Sequence, residues 1–131
     1  MINTYFLIGG ILCFLLGLVH SFLGEYLIFQ GKRKKGNLVP TKVGSELKER
    51  HLRIIWATWH LASFFGGSIG ALLVKISLNQ NNLDAEFVNF AIQSITITMF
   101  ASSLLVLIGT KGKHPGWMVL LAIGLLLLFG N

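Results

Sequence analysis

Three stretches of the chain, residues 5–29, 54–76 and 87–109, are almost continuously apolar. Each exceeds the about 20 residues that a helix needs to cross the hydrocarbon core of a bilayer. Their only formal charges are Glu25, near the end of the first, and Lys75, at the far end of the second. Of the 131 residues, 53% are hydrophobic and 12% charged, against about 25% charged in a soluble globular domain. Mean hydropathy is +0.71. Too few charges remain to coat a water-facing surface, so a soluble domain and a disordered tail are both excluded. A fourth apolar segment, 115–130, is shorter. At about 1.5 Å per residue, 17 residues to Asn131 give about 25 Å, which requires local thinning of the membrane or a nearly upright helix. The expected fold is all-α: one domain over residues 1–131, a bundle of four transmembrane helices.

The ends of these segments carry helix punctuation. Ser45, followed by Glu46 and Glu49, reads as an N-cap with acids in the first turn, starting the second helix before its apolar stretch. Asp84 with Glu86 reads the same way for the third. Pro115 suits the first turn of the fourth, where its missing N–H costs nothing. Asn79 to Asn82 form a short polar turn. The first apolar run has no positive charge before it and no small-x-small cleavage site after it, so it reads as a retained span rather than a signal peptide. The single cysteine, Cys13, excludes a disulfide framework within one chain and reads as a thiol in a helix core.

Orientation follows from the basic residues. Lys32, Arg33, Lys34, Lys35, Lys42, Lys48, Arg50 and Arg53 lie in or beside the loop 31–50, and Lys111 and Lys113 lie in the third-to-fourth loop. Ten of the eleven basic residues thus fall on one side. The positive-inside rule places that side in the cytoplasm and both termini outside. The run Lys32-Arg33-Lys34-Lys35 is explained first by this topology, and second by attraction to anionic lipid headgroups. Nucleic-acid binding would need interleaved aromatic residues to stack bases, and the loop has none.

Small residues recur at helical spacing. Gly10, Gly17, Ser21 and Gly24 mark the first helix, and Ser63, Gly66, Gly67 and Gly70 the second. They let backbones approach closely where no hydrophobic force drives helices together, within the chain, in a homo-oligomer or in a larger membrane complex. On the third helix Asn89, Gln93, Thr96 and Ser103 form a polar stripe, read as hydrogen bonds to neighbouring helices or as a hydrophilic passage.

Ionisable groups inside spans are costly and often functional. Here they are His20, Glu25 and His60, with His51, Arg53 and His114 at the membrane edge. Counting along the helices puts His20 about 15 Å, His60 about 10 Å and Glu25 about 8 Å from the cytoplasmic ends of their spans. His20 and Glu25 differ by about 140° around the first helix, which disfavours one tight site formed from a single face. His20 with His60, or Glu25 with Arg53, are the arrangements this permits, with all four groups facing the bundle interior. Three functions compete. The cluster is structural, in an accessory subunit. Or His20 and His60 bind haem or a transition metal. Or Glu25 and a histidine alternate protonation in a small proton-coupled transporter. No nucleophile–base constellation, phosphate loop or zinc-protease motif is present, which argues against an enzyme.

Three segments carry a resemblance: Val19-His20-Ser21-Phe22-Leu23-Gly24-Glu25; Leu52-Arg53-Ile54-Ile55-Trp56 to His60-Leu61-Ala62-Ser63; and His114-Pro115-Gly116-Trp117. Together they resemble a family of small bacterial four-span inner-membrane proteins. That pattern has a histidine directly after the tryptophan of the second segment, whereas here Ala57-Thr58-Trp59 separate Trp56 from His60. The resemblance implies a multi-pass bacterial inner-membrane protein and marks His20, Glu25, Arg53 and His60; it supplies no activity.

Overall fold

The computed structural model describes residues 2–44, 47–79 and 82–131. Four α-helices account for most of them: α1 (Thr4–Gly24), α2 (Glu49–Asn79), α3 (Ala85–Gly109) and α4 (Gly116–Gly130). No strand occurs among the described residues. A π-helical turn, Glu25–Phe29, and a 3-10 turn, Gln30–Lys32, continue α1. The first three helical segments are long and apolar enough to cross a membrane, and α4 is a shorter apolar helix of 15 residues. Phe22, Phe64, Leu105 and Phe129 are each at least 70% exposed. An outward apolar surface of this kind suits lipid, not water.

The helix starts have clear causes. Asn3 caps α1, its side-chain oxygen accepting the Phe6 N–H at 3.2 Å. Asp84 caps α3 in the same way through the Phe87 N–H at 2.8 Å. Pro115 occupies the N-cap position of α4, one residue before the position expected, and His114 Nδ1 accepts the Gly116 N–H at 3.1 Å. Helix α2 begins at Glu49, ahead of its apolar stretch. Ser45 and Glu46, and Gln80 and Asn81 of the polar turn, lie outside the described residues. Helix α3 ends in a reversal with Gly112 at φ +74°, where its N–H reaches the Leu107 carbonyl at 2.8 Å.

The helices pack as two antiparallel hairpins, α1 with α2 and α3 with α4, joined mainly along α1 and α4. Where α1 crosses α2, a Cβ on Gly10 would lie 2.8 Å from the Gly70 carbonyl oxygen, and one on Gly70 would lie 2.8 Å from that of Gly10. Only glycine permits backbones this close. Farther along, Gly17 lies against the Ser63 backbone. Gly66 sits more loosely, its nearest such neighbour being the Cys13 carbonyl oxygen at 3.9 Å.

The apolar core gathers at one pole, where Phe6, Leu73, Ile92, Ile123 and Leu127 are fully buried and Cys13 nearly so. Asn3 stitches that pole. Its amide donates to the Gly130 carbonyl at 2.9 Å, and its backbone exchanges bonds with Ser77 at 2.7 and 3.2 Å. Three helices are thereby tied at one residue.

The polar stripe of α3 does not form a passage. Asn89 and Gln93 are exposed, and Thr96 donates to Ile92 of its own helix. Ser103 alone of the four reaches a neighbouring helix, donating to the Trp117 carbonyl at 2.7 Å. The buried face of α3 centres on Ile92 and Met99. Gln93 lies about 100° around the helix from Ile92, outside that face.

Candidate functional site

The ionisable cluster forms at the opposite, basic pole, between the end of α1 and the start of α2. In α1, His20 and Gly24 are four residues apart, as are Ser21 and Glu25, so each pair shares a row along the helix. The two rows meet different residues of α2. Gly24 leaves the space that the Trp59 indole fills; a Cβ there would overlap the ring. Trp59 donates to the His20 carbonyl at 2.9 Å and stacks on the His20 imidazole with 4.3 Å between centroids and 7° between planes. The other row meets His60. Ser21 Oγ lies 3.0 Å from His60 Nδ1 and donates to Ser63 Oγ at 2.9 Å.

The π turn brings Glu25 and Phe29 to the same side. Phe29 is fully buried, edge-on to Trp59 and tilted over His60. One Glu25 oxygen pairs with Arg33. The other accepts the Trp56 indole N–H at 3.1 Å and lies 3.4 Å from His60 Nε2. This last approach is an electrostatic contact rather than a hydrogen bond, since Nε2 is buried and makes none. Arg33 is held in place by donating Nε–H to the Leu38 carbonyl at 2.5 Å. The loop closes where Thr41 and Lys42 both donate to the Lys32 carbonyl, each at 2.8 Å.

Hydroxyl protons can turn, so the row Ser63–Ser21–His60–Glu25 has two settings. With Ser21 donating to Ser63, a neutral His60 carries its proton on Nδ1 and turns a bare Nε2 toward the carboxylate. With both hydroxyls reversed, the imidazole proton sits on Nε2 and faces Glu25. Ser63 also borders the cleft that separates the two hairpins.

Arg53 does not join this cluster, contrary to the pairing with Glu25 expected from the sequence. It is exposed and bonds Glu49 of its own helix at 2.6 and 3.0 Å. Glu49 is one turn away, whereas Arg33 is delivered directly onto Glu25 by the turns that follow α1. Of the basic run, Arg33 is therefore engaged internally, while Lys32, Lys34 and Lys35 are exposed. His20 and His60 do not form a ligand pair: His60 faces Ser21 and Glu25, and His20 lies against Trp59. Among the described residues, no group of three or more His, Cys, Asp or Glu is placed to hold a metal ion. His51 and Gln93 are exposed and outside the cluster. His114 borders the cleft from the other hairpin.

Six participants were not picked out by number from sequence as partners of the ionisable groups: Ser21, Phe29, Arg33, Trp56, Trp59 and Ser63. Ser21 carried a signal, since it precedes Glu25 by four residues and so shares its face. Compared with models of protein families, with curated proteins and with solved structures, the chain finds no match in any of the three.

Proposed function

We propose that this chain is a multi-pass protein of a bacterial inner membrane, with both termini outside and the basic loop inside, acting as a structural or accessory subunit. In this reading the row Arg33–Glu25–His60–Ser21–Ser63 is a clasp that locks the first hairpin. One observation carries it: both oxygens of Glu25 and both nitrogens of His60 face groups supplied by the same hairpin. A half-buried carboxylate so surrounded is neutralised in place, and removing it would leave the Arg33 guanidinium without its partner. The concentration of basic residues at one pole supports the orientation. The exposed Lys32, Lys34 and Lys35 suit anionic headgroups at that surface. The outward apolar faces suit lipid, a second copy or a larger membrane complex.

The test is a double-mutant cycle on detergent-purified protein with Glu25→Gln and His60→Ala, read by thermal unfolding. A clasp gives losses that are not additive, with a coupling of about 1 kcal/mol. Additive losses within about 0.3 kcal/mol would sink it.

A second reading, proton-coupled transport, is favoured by one feature. The row starts at a carboxylate near the basic surface, passes by electrostatic contact to His60 and by hydrogen bonds through Ser21, and ends at Ser63, on the cleft. In that case Glu25→Gln abolishes a pH-dependent proton uptake into reconstituted vesicles while leaving the unfolding temperature nearly unchanged.

A further inference from the structure

The two hairpins part toward the basic pole and leave a cleft of about 540 Å³, a size in the range of ligand sites. One wall comes from α1 and α2, with Leu16, His20, Trp59 and Ile69; the other comes from α3 and α4, with Met99, Val106 and Leu120. It runs from Cys13, Met99 and Ile123 in the middle of the bundle to Thr110, His114 and Gly116 at the basic pole. Ala62 and Phe65 of α2 and Thr98 of α3 line it and are exposed, so it opens sideways between these two helices, toward lipid.

The lining has a distinct chemistry. No Asp, Glu, Lys or Arg takes part. Apart from the Cys13 thiol and the Trp59 indole, whose N–H is taken by the His20 carbonyl, the polar side chains are hydroxyls and two imidazoles, and the imidazoles come from opposite hairpins. His20 makes no side-chain hydrogen bond among the described residues; its stack with Trp59 gives a flat aromatic wall. His114 uses Nδ1 to accept the Gly116 N–H. In the neutral ring this leaves the proton on Nε2, a donor at the rim.

We infer that the cleft is a binding site for a neutral, ring-headed membrane amphiphile of the quinone class, its carbonyl oxygens read by His20 and His114 and its isoprenoid tail lying against the apolar middle of the bundle. Three features select this occupant. The lining itself carries no formal charge, so inside the cleft a phosphate or ammonium headgroup finds no counterion. Imidazole donors on opposing walls match a ring with acceptor oxygens on opposite edges. The polar end of the cleft lies at the basic pole and its apolar end near the middle, which is how an amphiphile sits in one leaflet. The site uses neither Glu25 nor Arg33, so it stands or falls separately from the clasp.

The test is a titration of the full chain in lipid nanodiscs with ubiquinone-1, read by quenching of tryptophan emission. Quenching should saturate, and His20→Leu and His114→Leu should each weaken the half-saturation concentration at least tenfold. Ser102→Leu, which adds bulk to the cleft from α3 and leaves both histidines in place, should weaken it similarly and serves if a histidine variant fails to fold. Linear, unsaturable quenching that is the same in all variants would mean simple partitioning and overturn the site. Saturable quenching that is indifferent to both histidines would overturn the reading of the head, leaving a site for tails alone. Full displacement of ubiquinone-1 by raising the phosphatidylglycerol content of the disc would assign the cleft to a phospholipid instead.

Discussion

The two poles of the bundle are built on opposite principles. At the pole of the chain termini, large side chains such as Phe6 and Leu73 are fully buried, and one neutral residue, Asn3, ties α1 to α2 and α4. At the basic pole the ties are ionic and aromatic and stay within the first hairpin, while the second hairpin stands off across a cleft. Within a membrane, helix association depends on close packing and interhelical hydrogen bonds rather than on the hydrophobic effect. The first pole has both between hairpins. The second has them only within each hairpin, as in the Ser103 bond to the Trp117 carbonyl, which leaves a cleft between the hairpins. The difference teaches that the charged contacts here lie within one hairpin, with an open cleft beside them.

Substitutions can break this contrast from either side. The largest effect is expected from Gly10→Val, because its side chain would meet the Gly70 carbonyl oxygen and Val74 at less than 3 Å. Overpacking of this kind costs about 2–3 kcal/mol and should lower the detergent unfolding temperature accordingly. Glu25→Gln should cost about 1–2 kcal/mol, less than a fully buried pair, since the Arg33 and Glu25 side chains remain 22% and 32% exposed. A Glu25→Gln, Arg33→Met double variant should recover part of that loss, because no unpaired guanidinium is left. Asn3→Ala removes a cap and the interhelical bond to the Gly130 carbonyl while keeping the backbone bonds to Ser77, and should cost about 1 kcal/mol. Hydrogen exchange should then speed up at the terminal pole and not at the basic one. Arg53→Ala should change stability by no more than about 0.5 kcal/mol, as expected for an exposed pair within one helix. A loss for Arg53→Ala as large as that for Glu25→Gln would return Arg53 to the cluster.

Much of the fold was legible because membrane helices announce themselves by length and charge depletion. The all-helical architecture could be read from the four apolar segments, and the α3 cap from Asp84 with Glu86. The site was only partly legible. His20, Glu25 and His60 stood out as ionisable groups in spans, but their partners depended on geometry that helical counting misses. A regular helix carries no hint that a π turn and a 3-10 turn follow Gly24 and bring Arg33 back onto Glu25. Arg53 looked equally suited by depth, yet its own neighbour Glu49 captures it. Ser21, Gly24 and Ser63 were legible as small residues that let helices approach. Their other roles, a hydrogen-bonded row and a slot for Trp59, depend on which side chains face them across the hairpin. The cleft had no linear signature, because its walls come from all four helices.

The contrast between the poles is most directly measured as two distances across the hairpins in a bilayer. Spin labels at Leu78→Cys and Phe90→Cys report the terminal pole, and labels at Leu61→Cys and Leu105→Cys report the basic pole, all exposed positions on α2 and α3 and all with Cys13→Ala. Pulsed electron resonance should give one narrow distance for the first pair and a broader distribution for the second. Equally narrow distributions at both poles would show hairpins packed along their whole length and contradict a parted basic pole.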